Sequence, residues 1–537
     1  MPRCLYRSVH NARFRRPVIA MKNLTIVLFT LVIFCHYADC GYFSFLDKFT
    51  NSTAQITGFL RMKGRKLVHK IGNFILPDAV TKKPYTTPDR MEDAESRSMR
   101  KFSEYVTEAQ RKDSSVFDAI APAGGVDCRD DVTVQMTTPE LIALHGYTSE
   151  SHTVITDDGY ILTLHRIPVT AQKEPRETVL LHHGLLGSSA DWVIPGPRHA
   201  LAYILSDAGY DVWLANVRGN TYSRAHISRK VDSFQFWNFT FHEVAQHDLP
   251  TVIDYIMRVK GGQTHLHYVG HSMGTTVLFA LLSTKPRYNK ILKAGYALAP
   301  VAYMSDIRSP IKMLARFSNN IEYLLKLLGA NEFLPQNAVL RWLSKHMCEI
   351  NHYEEAICEN SMFVLCGHDE SQFNRTLLPH ILAHVPAGAS TRTLVHYAQE
   401  IKAEGRFQQF DYGAEGNMRH YGTKSPPEYP LHNITLPIAL LSAKNDWLAG
   451  DIDVARLFSK LANPIEHYEV PYDEFNHIDF LYAIDAPALV YDKLLRMLED
   501  RINEDKAIED RDMNEAFHVK RDGSVPDLLS NTIDYRP

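Results

Sequence analysis

Residues 270–274 read Gly-His-Ser-Met-Gly, so that Ser272 has a glycine two positions away on each side. The residues before this motif favour a strand, and those after it favour a helix. A serine at such a corner is held in a strained backbone conformation that projects its Oγ from the edge of the sheet. Cβ atoms two positions to either side would collide where strand and helix pass closely, and glycine lacks that atom. The motif therefore predicts that Ser272 is a nucleophile.

A nucleophilic serine requires a base within hydrogen-bond reach and an acid that orients this base. On a parallel α/β sheet the acid and then the histidine follow the serine, each in a loop after a later strand. Asp446 comes just after the strand-like run 437–443, and His477 follows the run 465–470. This order predicts that Ser272, His477 and Asp446 form a catalytic triad for acyl transfer.

Other acidic side chains lie near the two predicted partners in the sequence. Asp451 and Asp453 fall at the start of a predicted helix, where capping explains an acid. Asp479 lies two residues after His477, where we expect it to fix the histidine loop. Asp446 is therefore the predicted acid of the triad.

The oxygen that becomes negative during acyl transfer requires two fixed N–H donors. One is expected from the residue after the nucleophile, Met273, and the other from the loop after the third strand. That loop reads HHGLLGSS over residues 182–189, and Gly184 lets its backbone approach the site closely. We therefore assign the second donor to the backbone N–H of Leu185.

The same loop begins with two adjacent histidines, His182 and His183. Such a pair can bind a metal, but no third ligand accompanies it at a plausible spacing. We expect both side chains to pack at the end of the strand, and we predict neither a metal nor another cofactor for this site.

Short apolar runs alternate with helical stretches from about residue 132 onward. The turn Asp157-Asp158-Gly159 between SHTVIT and YILTLHRIP is typical of a hairpin. Apolar strands separated by helices indicate a mostly parallel sheet with helices on both faces. Six further strands are predicted over residues 178–183, 211–216, 265–270, 294–300, 437–443 and 465–470. Together with the hairpin, they make an eight-stranded α/β fold.

One interval in this pattern is far longer than a loop of such a sheet. It runs from 303 to 430 and contains the helical apolar runs 321–330 and 339–347, which we interpret as an inserted cap. Six segments are therefore predicted: a signal region, 1–40; a charged, partly disordered lead, 41–130; the first part of the core, 131–302; the helical cap or lid, 303–430; the second part of the core, 431–502; and a charged, mobile tail, 503–537.

The composition is that of a globular protein without an obvious polyanionic partner. Of the 537 residues, 45% are hydrophobic and 22% are charged, which is ordinary for a globular chain. The 58 Lys+Arg are balanced by 62 Asp+Glu, for a formal net charge of −4, and no basic block recurs in the part that looks folded. This balance argues against a nucleic-acid-binding protein.

The N-terminus has the pattern of a secretory signal. Basic residues precede the apolar run 24–35, and the small residues of 38–40 precede Gly41. The run is shorter than the roughly 20 residues that span a bilayer as a helix. We therefore expect a cleaved signal, translated from Met1 or Met21, rather than a retained anchor, and no transmembrane span in the mature chain.

Cysteines and glycosylation sequons agree with export. Four cysteines would enter an oxidising compartment, and the residues alone leave all pairings open: Cys128, Cys348, Cys358 and Cys366. Four sequons predict N-glycosylation where they are exposed: Asn51, Asn238, Asn374 and Asn433. We expect a secreted protein, with delivery to the lysosome as the alternative.

Five blocks of the sequence resemble the acid lipases, the family of gastric and lysosomal lipases and their insect relatives. In order they are HHGLLGSSADW, LAYILSDAGYDVWLANVRGNTYSRAH, LHYVGHSMGTT, NDWLAGDIDV and FNHIDFLYAIDAP, and they fall between about residues 132 and 500. The resemblance implies an α/β-hydrolase fold with a helical cap and lid, a serine mechanism and no cofactor. It also implies triacylglycerols or cholesteryl esters as substrates.

The resemblance also assigns individual residues. It places the triad and the oxyanion donors on Ser272, Asp446, His477, Leu185 and Met273, and it implies a disulfide between Cys348 and Cys358 with Cys366 free. Vertebrate members usually have Gln at the position of Met273. We therefore expect the support of the oxyanion hole and the substrate preference to differ from theirs.

The sequence thus predicts a lipase that hydrolyses neutral lipid esters at a lipid droplet or emulsion surface through an acyl-enzyme. Two alternatives stay open. One is a short-chain or hormone-type carboxylesterase with the same triad. The other is a non-catalytic lipid-binding or storage protein on a lipase scaffold.

Overall fold

The computed structural model describes residues 132–169, 176–261, 266–317, 331–333 and 362–521. Eleven strands lie within these ranges: β1 Glu150–Ile155, β2 Tyr160–Ile167, β3 Thr178–His182, β4 Asp211–Leu214, β5 Ala225–His226, β6 Leu266–His271, β7 Leu292–Leu298, β8 Glu332–Phe333, β9 Ala389–Ser390, β10 Ile438–Ser442 and β11 Pro464–Glu469. The six strands predicted beyond the hairpin are found within two residues of their expected bounds.

The main sheet has the order β1-β2-β4-β3-β6-β7-β10-β11. The hairpin strands β1 and β2 are antiparallel to their neighbours. In the remaining sheet order, β4-β3-β6-β7-β10-β11, every pair of neighbouring strands is parallel. This arrangement confirms the predicted α/β fold. The two-residue strand β5, which pairs with β2, was not predicted and makes a ninth member of the sheet.

The α-helices of the described ranges include α1 Thr138–Leu144, α2 Leu201–Asp207, α3 Phe234–Trp237, α4 Phe241–Glu243, α5 Leu249–Val259, α6 Met273–Thr284, α7 Tyr288–Ile291, α8 Leu378–His384, α9 Thr391–Lys402, α10 Gly413–Tyr421, α11 Asp451–Lys460, α12 Asp479–Tyr482 and α13 Asp492–Arg521, and residues 362–366 are helical as well. A π-helical segment, Val244–Asp248, joins α4 to α5 just before Pro250. Among the described residues, no helix combines the length and apolar character that crossing a membrane requires.

Both faces of the parallel sheet are buried. Successive residues of a strand point to opposite faces, and in β3 Leu180 packs into one hydrophobic cluster while Val179 and Leu181 pack into another. Helices α5, α6 and α11 contribute to the first cluster, and α2 and α13 contribute to the second. Continuous apolar strands therefore gave the correct prediction of helices on both faces.

The predicted cap is described only in part. Its helices α8, α9 and α10 and the short β8–β9 sheet are present, whereas the runs 321–330 and 339–347 lie outside the described residues. The signal region and the lead segment also lie outside them. These domain boundaries stay predictions.

The start of the predicted tail differs from the expectation. A mobile segment was expected from residue 503, but α13 continues to Arg521. Opposite charges three or four residues apart stabilise a helix surface, and Arg501 pairs with Glu504 at 2.8 Å. The high charge that we interpreted as mobility is thus compatible with an exposed helix.

A buried arginine attaches the β1–β2 hairpin to the rest of the core. Arg218 donates to both carboxylate oxygens of Asp158, at 2.6 and 2.8 Å, and its Nε donates to Asp248 at 2.7 Å. Asp157, Asp158 and His247 lie close enough together to resemble a metal site. Because Arg218 already occupies both oxygens of Asp158, we assign that cluster a structural role.

Candidate active site

Ser272 lies at the corner between β6 and α6, with φ 51° and ψ −116°. The predicted need for flanking glycines has a direct geometric cause. A Cβ on Gly270 would lie 2.8 Å from the carbonyl carbon of Gly274, and one on Gly274 would lie 2.4 Å from the carbonyl oxygen of His182. Gly270 therefore lies too close to the start of α6, and Gly274 too close to the end of the neighbouring strand β3, for a side chain at either position.

Replacing Gly274 with alanine is expected to lower the free energy of unfolding by about 3 kcal/mol, because the added methyl group meets a backbone carbonyl that cannot rotate away. Gly413→Ala is the matched control. Its Cβ would meet nothing within 4 Å, so only its positive φ of 74° opposes the change, at about 1 kcal/mol. Thermal and denaturant unfolding measure both losses, and equal losses would contradict this account of the corner.

The three residues predicted as a triad lie in one hydrogen-bonded line. His477 Nε2 is 2.8 Å from Ser272 Oγ, and His477 Nδ1 is 2.8 Å from Asp446 Oδ2. Asp446 is fully buried and His477 is nearly so, whereas Ser272 is partly exposed. A substrate can therefore reach the serine while the other two side chains stay out of water.

The contacts of Asp446 fix the proton positions of this line. Asp446 Oδ1 accepts the backbone N–H groups of Leu448 and Ala449, each at 2.8 Å, which leaves Oδ2 to accept from His477 Nδ1–H. The lone pair of His477 Nε2 then faces the serine hydroxyl. This arrangement can remove a proton from Ser272 Oγ as a bond to a substrate carbon forms.

Neighbouring acids make separate contacts and do not compete for the histidine. Asp453 accepts from the Asp306 N–H at 2.7 Å, Asp473 pairs with Lys444 at 2.7 Å, and Asp479 accepts from the Asn476 N–H at 2.7 Å. Asp451 and Asp453 lie in the first turn of α11, as predicted for a helix start, but the N-cap is Gly450 and no side chain caps this helix, so the predicted capping role is wrong.

Backbone contacts hold the histidine loop in place. His271 Nε2–H donates to the carbonyl oxygen of His477 at 2.9 Å, and burial lowers the pKa of His271 to about 3, so this side chain is neutral. The carbonyl oxygen of Cys366 accepts the N–H of Trp447 at 3.2 Å and the N–H of His477 at 3.4 Å. One peptide of the insertion thus connects the loop of the acid to the loop of the base.

The predicted oxyanion loop passes beside the serine. A Cβ on Gly184 would lie 3.2 Å from the Cβ of Ser272, a tight contact that glycine avoids. Leu185 follows in the loop, and Met273 is the first residue of α6, where N–H groups have no acceptor within the helix. The N–H of Met273 therefore directly follows the nucleophile in the chain, and the N–H of Leu185 directly follows Gly184, which lies beside the nucleophile.

His183 orients the peptide that carries the N–H of Leu185. Its Nδ1–H donates to the carbonyl oxygen of Gly184 at 2.8 Å, and its Nε2 accepts from the Val217 N–H and from Asn220 Nδ2, both at 3.2 Å. The C=O and N–H groups of one trans peptide point in opposite directions. Fixing the Gly184 carbonyl therefore aims the next N–H, a more specific role than the strand-end packing that we predicted.

Two further contacts of this loop were missed by sequence reasoning. Leu186 has a left-handed φ of 64°, and its carbonyl oxygen accepts the N–H of Ala387 from the insertion at 2.6 Å. Asp191 accepts from the Ser188 N–H and from the Tyr482 hydroxyl, each at 3.2 Å, and burial raises its pKa to about 7. The spacing Ser188-x-x-Asp191 is that of a capping box and could have indicated the first contact, but no local pattern identifies Tyr482 as a partner.

The predicted modification sites are only partly described. Asn238 is exposed and Asn374 is half-buried, whereas Asn433 donates its amide nitrogen, the atom that would carry a glycan, to the carbonyl oxygen of Ser283 at 3.0 Å. Cys366 is a free thiol whose pKa is raised by burial. Asn51 and the predicted Cys348–Cys358 pair lie outside the described residues.

Comparison with known proteins places this geometry in a family. Residues 138–196 match the family described as a partial alpha/beta-hydrolase lipase region, and residues 177–320 match the alpha/beta hydrolase fold. Gastric triacylglycerol lipase of Bos taurus is 42% identical over 68% of this chain and 91% of its own. Lipase 3 of Drosophila melanogaster is 40% identical over 67% and 92% of the two chains. Lysosomal acid lipase/cholesteryl ester hydrolase of Homo sapiens is 39% identical over 70% and 94%. The chain belongs to the acid lipase family of α/β hydrolases.

Proposed function

We propose that this protein hydrolyses carboxylic esters of neutral lipids, triacylglycerols or cholesteryl esters, through an acyl-enzyme on Ser272. The observation that carries the proposal is the unbroken line of 2.8 Å contacts from Asp446 through His477 to Ser272. The relatives named as a gastric triacylglycerol lipase and a lysosomal cholesteryl ester hydrolase support this substrate class.

In the first half of the reaction, His477 Nε2 takes the hydroxyl proton as Ser272 Oγ bonds to the ester carbonyl carbon. The carbonyl oxygen becomes negative and accepts from the N–H groups of Leu185 and Met273. His477 then returns the proton to the alcohol oxygen, the ester C–O bond breaks, and the acyl group stays on Ser272. Asp446 stabilises the imidazolium throughout.

In the second half, water replaces the alcohol. His477 takes a proton from the water as its oxygen bonds to the acyl carbon, and the same two N–H groups hold the second oxyanion. The proton then passes to Ser272 Oγ as the fatty acid leaves. No cofactor takes part in these steps.

Exposed apolar side chains next to the site favour a lipid surface as its working place. Val364 and Leu365 are 42% and 39% exposed, and they immediately precede Cys366, whose carbonyl contacts the backbone of His477. Large apolar groups exposed beside an active site favour contact with an emulsion or lipid droplet. The signal-like N-terminus and the gastric and lysosomal relatives support secretion, with the lysosome as the alternative.

Hydrolysis of triolein, cholesteryl oleate and a soluble butyrate ester, measured from about pH 4 to about pH 8, tests the proposal. We expect emulsified long-chain esters to be preferred. Preference for soluble butyrate would instead assign a short-chain carboxylesterase. A fluorophosphonate is expected to label Ser272, and folded protein that resists labelling would be a lipid-binding or storage protein.

A further inference from the structure

Two buried carboxyl groups lie together behind the candidate histidine. Asp479 begins α12, two residues after His477, and Asp369 lies on the segment 366–373, which we call the return segment. Both side chains are at most 1% exposed, and the two carboxyl groups interact with each other. Two ionised carboxylates repel each other in a buried site and neither can donate a hydrogen bond, so this arrangement favours a proton on one of them.

The remaining hydrogen bonds leave one oxygen in need of that proton. Asp369 Oδ1 accepts from Ser371 Oγ at 2.9 Å and from the Gln372 N–H at 3.2 Å. Asp479 Oδ2 accepts from the Asn476 N–H at 2.7 Å. Asp369 Oδ2 is buried and receives no donor from the described residues. A proton between the two acids satisfies it, and without that proton a buried charge would be left unpaired.

The surroundings favour keeping the proton. Burial is the largest cause that raises the pKa of both carboxyl groups. The negative charge of Glu474 acts in the same direction on Asp369, and that of Asp446 does so on Asp479. The other titratable groups that face the pair are the Cys366 thiol, whose pKa is raised by burial, and the Tyr472 hydroxyl, which contacts Ser371 at 2.7 Å. None of these neighbours is a cation that could replace the proton.

The pair joins the return segment to the loop of the histidine. Asn476 lies between them, because its Nδ2 donates to the Gly367 carbonyl at 3.0 Å and its Oδ1 accepts the Ile478 N–H at 2.9 Å. Beyond the pair, Gln372 accepts the Ile484 N–H at 2.9 Å through its carbonyl. The return segment therefore runs along the histidine loop, and the Asp369–Asp479 pair is one of the buried side-chain contacts between them.

We propose that Asp369 and Asp479 share one proton and together act as a positioning pair, which holds the His477 loop against the return segment. This inference rests on the proposed function for its effect on turnover. Loss of the proton places two negative charges side by side in a buried position, and the resulting repulsion separates the loop from the segment.

The folded protein favours the protonated pair, and this fixes the direction in which its stability changes with pH. Its stabilisation is complete at pH values below the ordinary pKa of an aspartic acid and is lost as pH rises through the raised pKa. Because two coupled acids titrate as a unit, that upper step belongs to the pair rather than to either residue. Turnover should fall in the same direction, through kcat rather than KM, since no substrate contact is involved.

Asp369→Asn in the full-length protein tests the proposal, because its amide can donate to Asp479 at every pH. At acidic pH we expect its kcat to stay within about threefold of wild type, with KM unchanged within about twofold. In the plot of kcat against pH, we expect the fall in kcat on the alkaline side to occur at least about one pH unit higher than in wild type. Asp473→Asn, which removes an exposed charge from the same loop, should keep the wild-type profile. Coincident alkaline limbs for wild type and Asp369→Asn would overturn the proposal.

A stability measurement separates this inference from the proposed function. The melting temperature of wild type should fall as pH rises through the upper step of the pair, and that of Asp369→Asn should fall less. This result would support the shared proton even if no ester were hydrolysed, whereas parallel melting curves would overturn it. If Asp369→Asn fails to fold, Asp479→Asn gives the same test, since its oxygen can still accept from Asn476 and its amide can donate to Asp369.

Discussion

Turnover of an emulsified long-chain ester is expected to fall about 10⁵-fold when Ser272 is replaced with alanine. The substitution removes the oxygen that would bond to the acyl carbon and leaves the N–H groups of Leu185 and Met273 in place. Those donors and the binding site can still assist attack by water, so a small residual rate is expected. The measurement is kcat for the purified variant, with circular dichroism to show that it is folded.

Ser459→Ala is the matched control for this change. Ser459 is exposed on α11, where its hydroxyl donates to the carbonyl of Arg456 in the same helix at 2.7 Å. Its loss should change kcat by less than about twofold. A Ser272→Ala protein with the turnover of the control would show that esters are cleaved elsewhere on the chain, or by a contaminant.

The fold and the candidate triad were accessible from sequence because their signals are local. Each of β6, β10 and β11 is a short apolar or β-rich run, and Ser272, Asp446 and His477 each lie in the connection that follows one of these runs. Parallel strands bring their carboxyl ends to one edge of the sheet, so position along each run was enough to predict the meeting of the three residues. The spacing of the two glycines was informative in part for the same reason, since the contact that Gly270 avoids lies at the corner itself, whereas the contact that Gly274 avoids is with His182 of the neighbouring strand β3.

Contacts between distant segments could not be predicted in this way. His183 has Asn220 as a partner 37 residues away, and Asp191 has Tyr482 as a partner 291 residues away. Neither spacing carries a periodicity or a motif. Buried polar groups require partners, so a sequence can indicate that an acid such as Asp191 will be paired, but only the packing of the segments decides with what.

Composition also led to a wrong prediction for the C-terminal segment, because mobile tails and exposed helices have the same charge pattern. The sequence after residue 503 is rich in both acids and bases, which is typical of mobile tails and of solvent-exposed helices alike. We chose the former, and α13 extends to Arg521.

Replacing Asp446 with asparagine is expected to lower kcat about 10⁴-fold without removing any atom that touches substrate. The N–H groups of Leu448 and Ala449 both point at Oδ1, so they would hold the amide with its oxygen in that position and its NH₂ toward His477. Nδ1 of His477 would then have to accept, and the ring proton would move to Nε2. An Nε2–H group cannot take the proton of Ser272. The rate of ester hydrolysis and the rate of fluorophosphonate labelling should fall together.

Asp451→Asn separates the orienting role from a general loss of charge near the site. Asp451 lies five residues later and begins α11, and it makes no hydrogen bond to His477, so its variant should keep kcat within about threefold of wild type. A larger loss in Asp451→Asn than in Asp446→Asn would show that Asp446 is not the acid of the triad. The double variant Ser272→Ala/Asp446→Asn gives the strictest comparison. If Asp446 acts only through His477 on the serine, the double variant should be no slower than Ser272→Ala alone, because an oriented base has no remaining hydroxyl to activate.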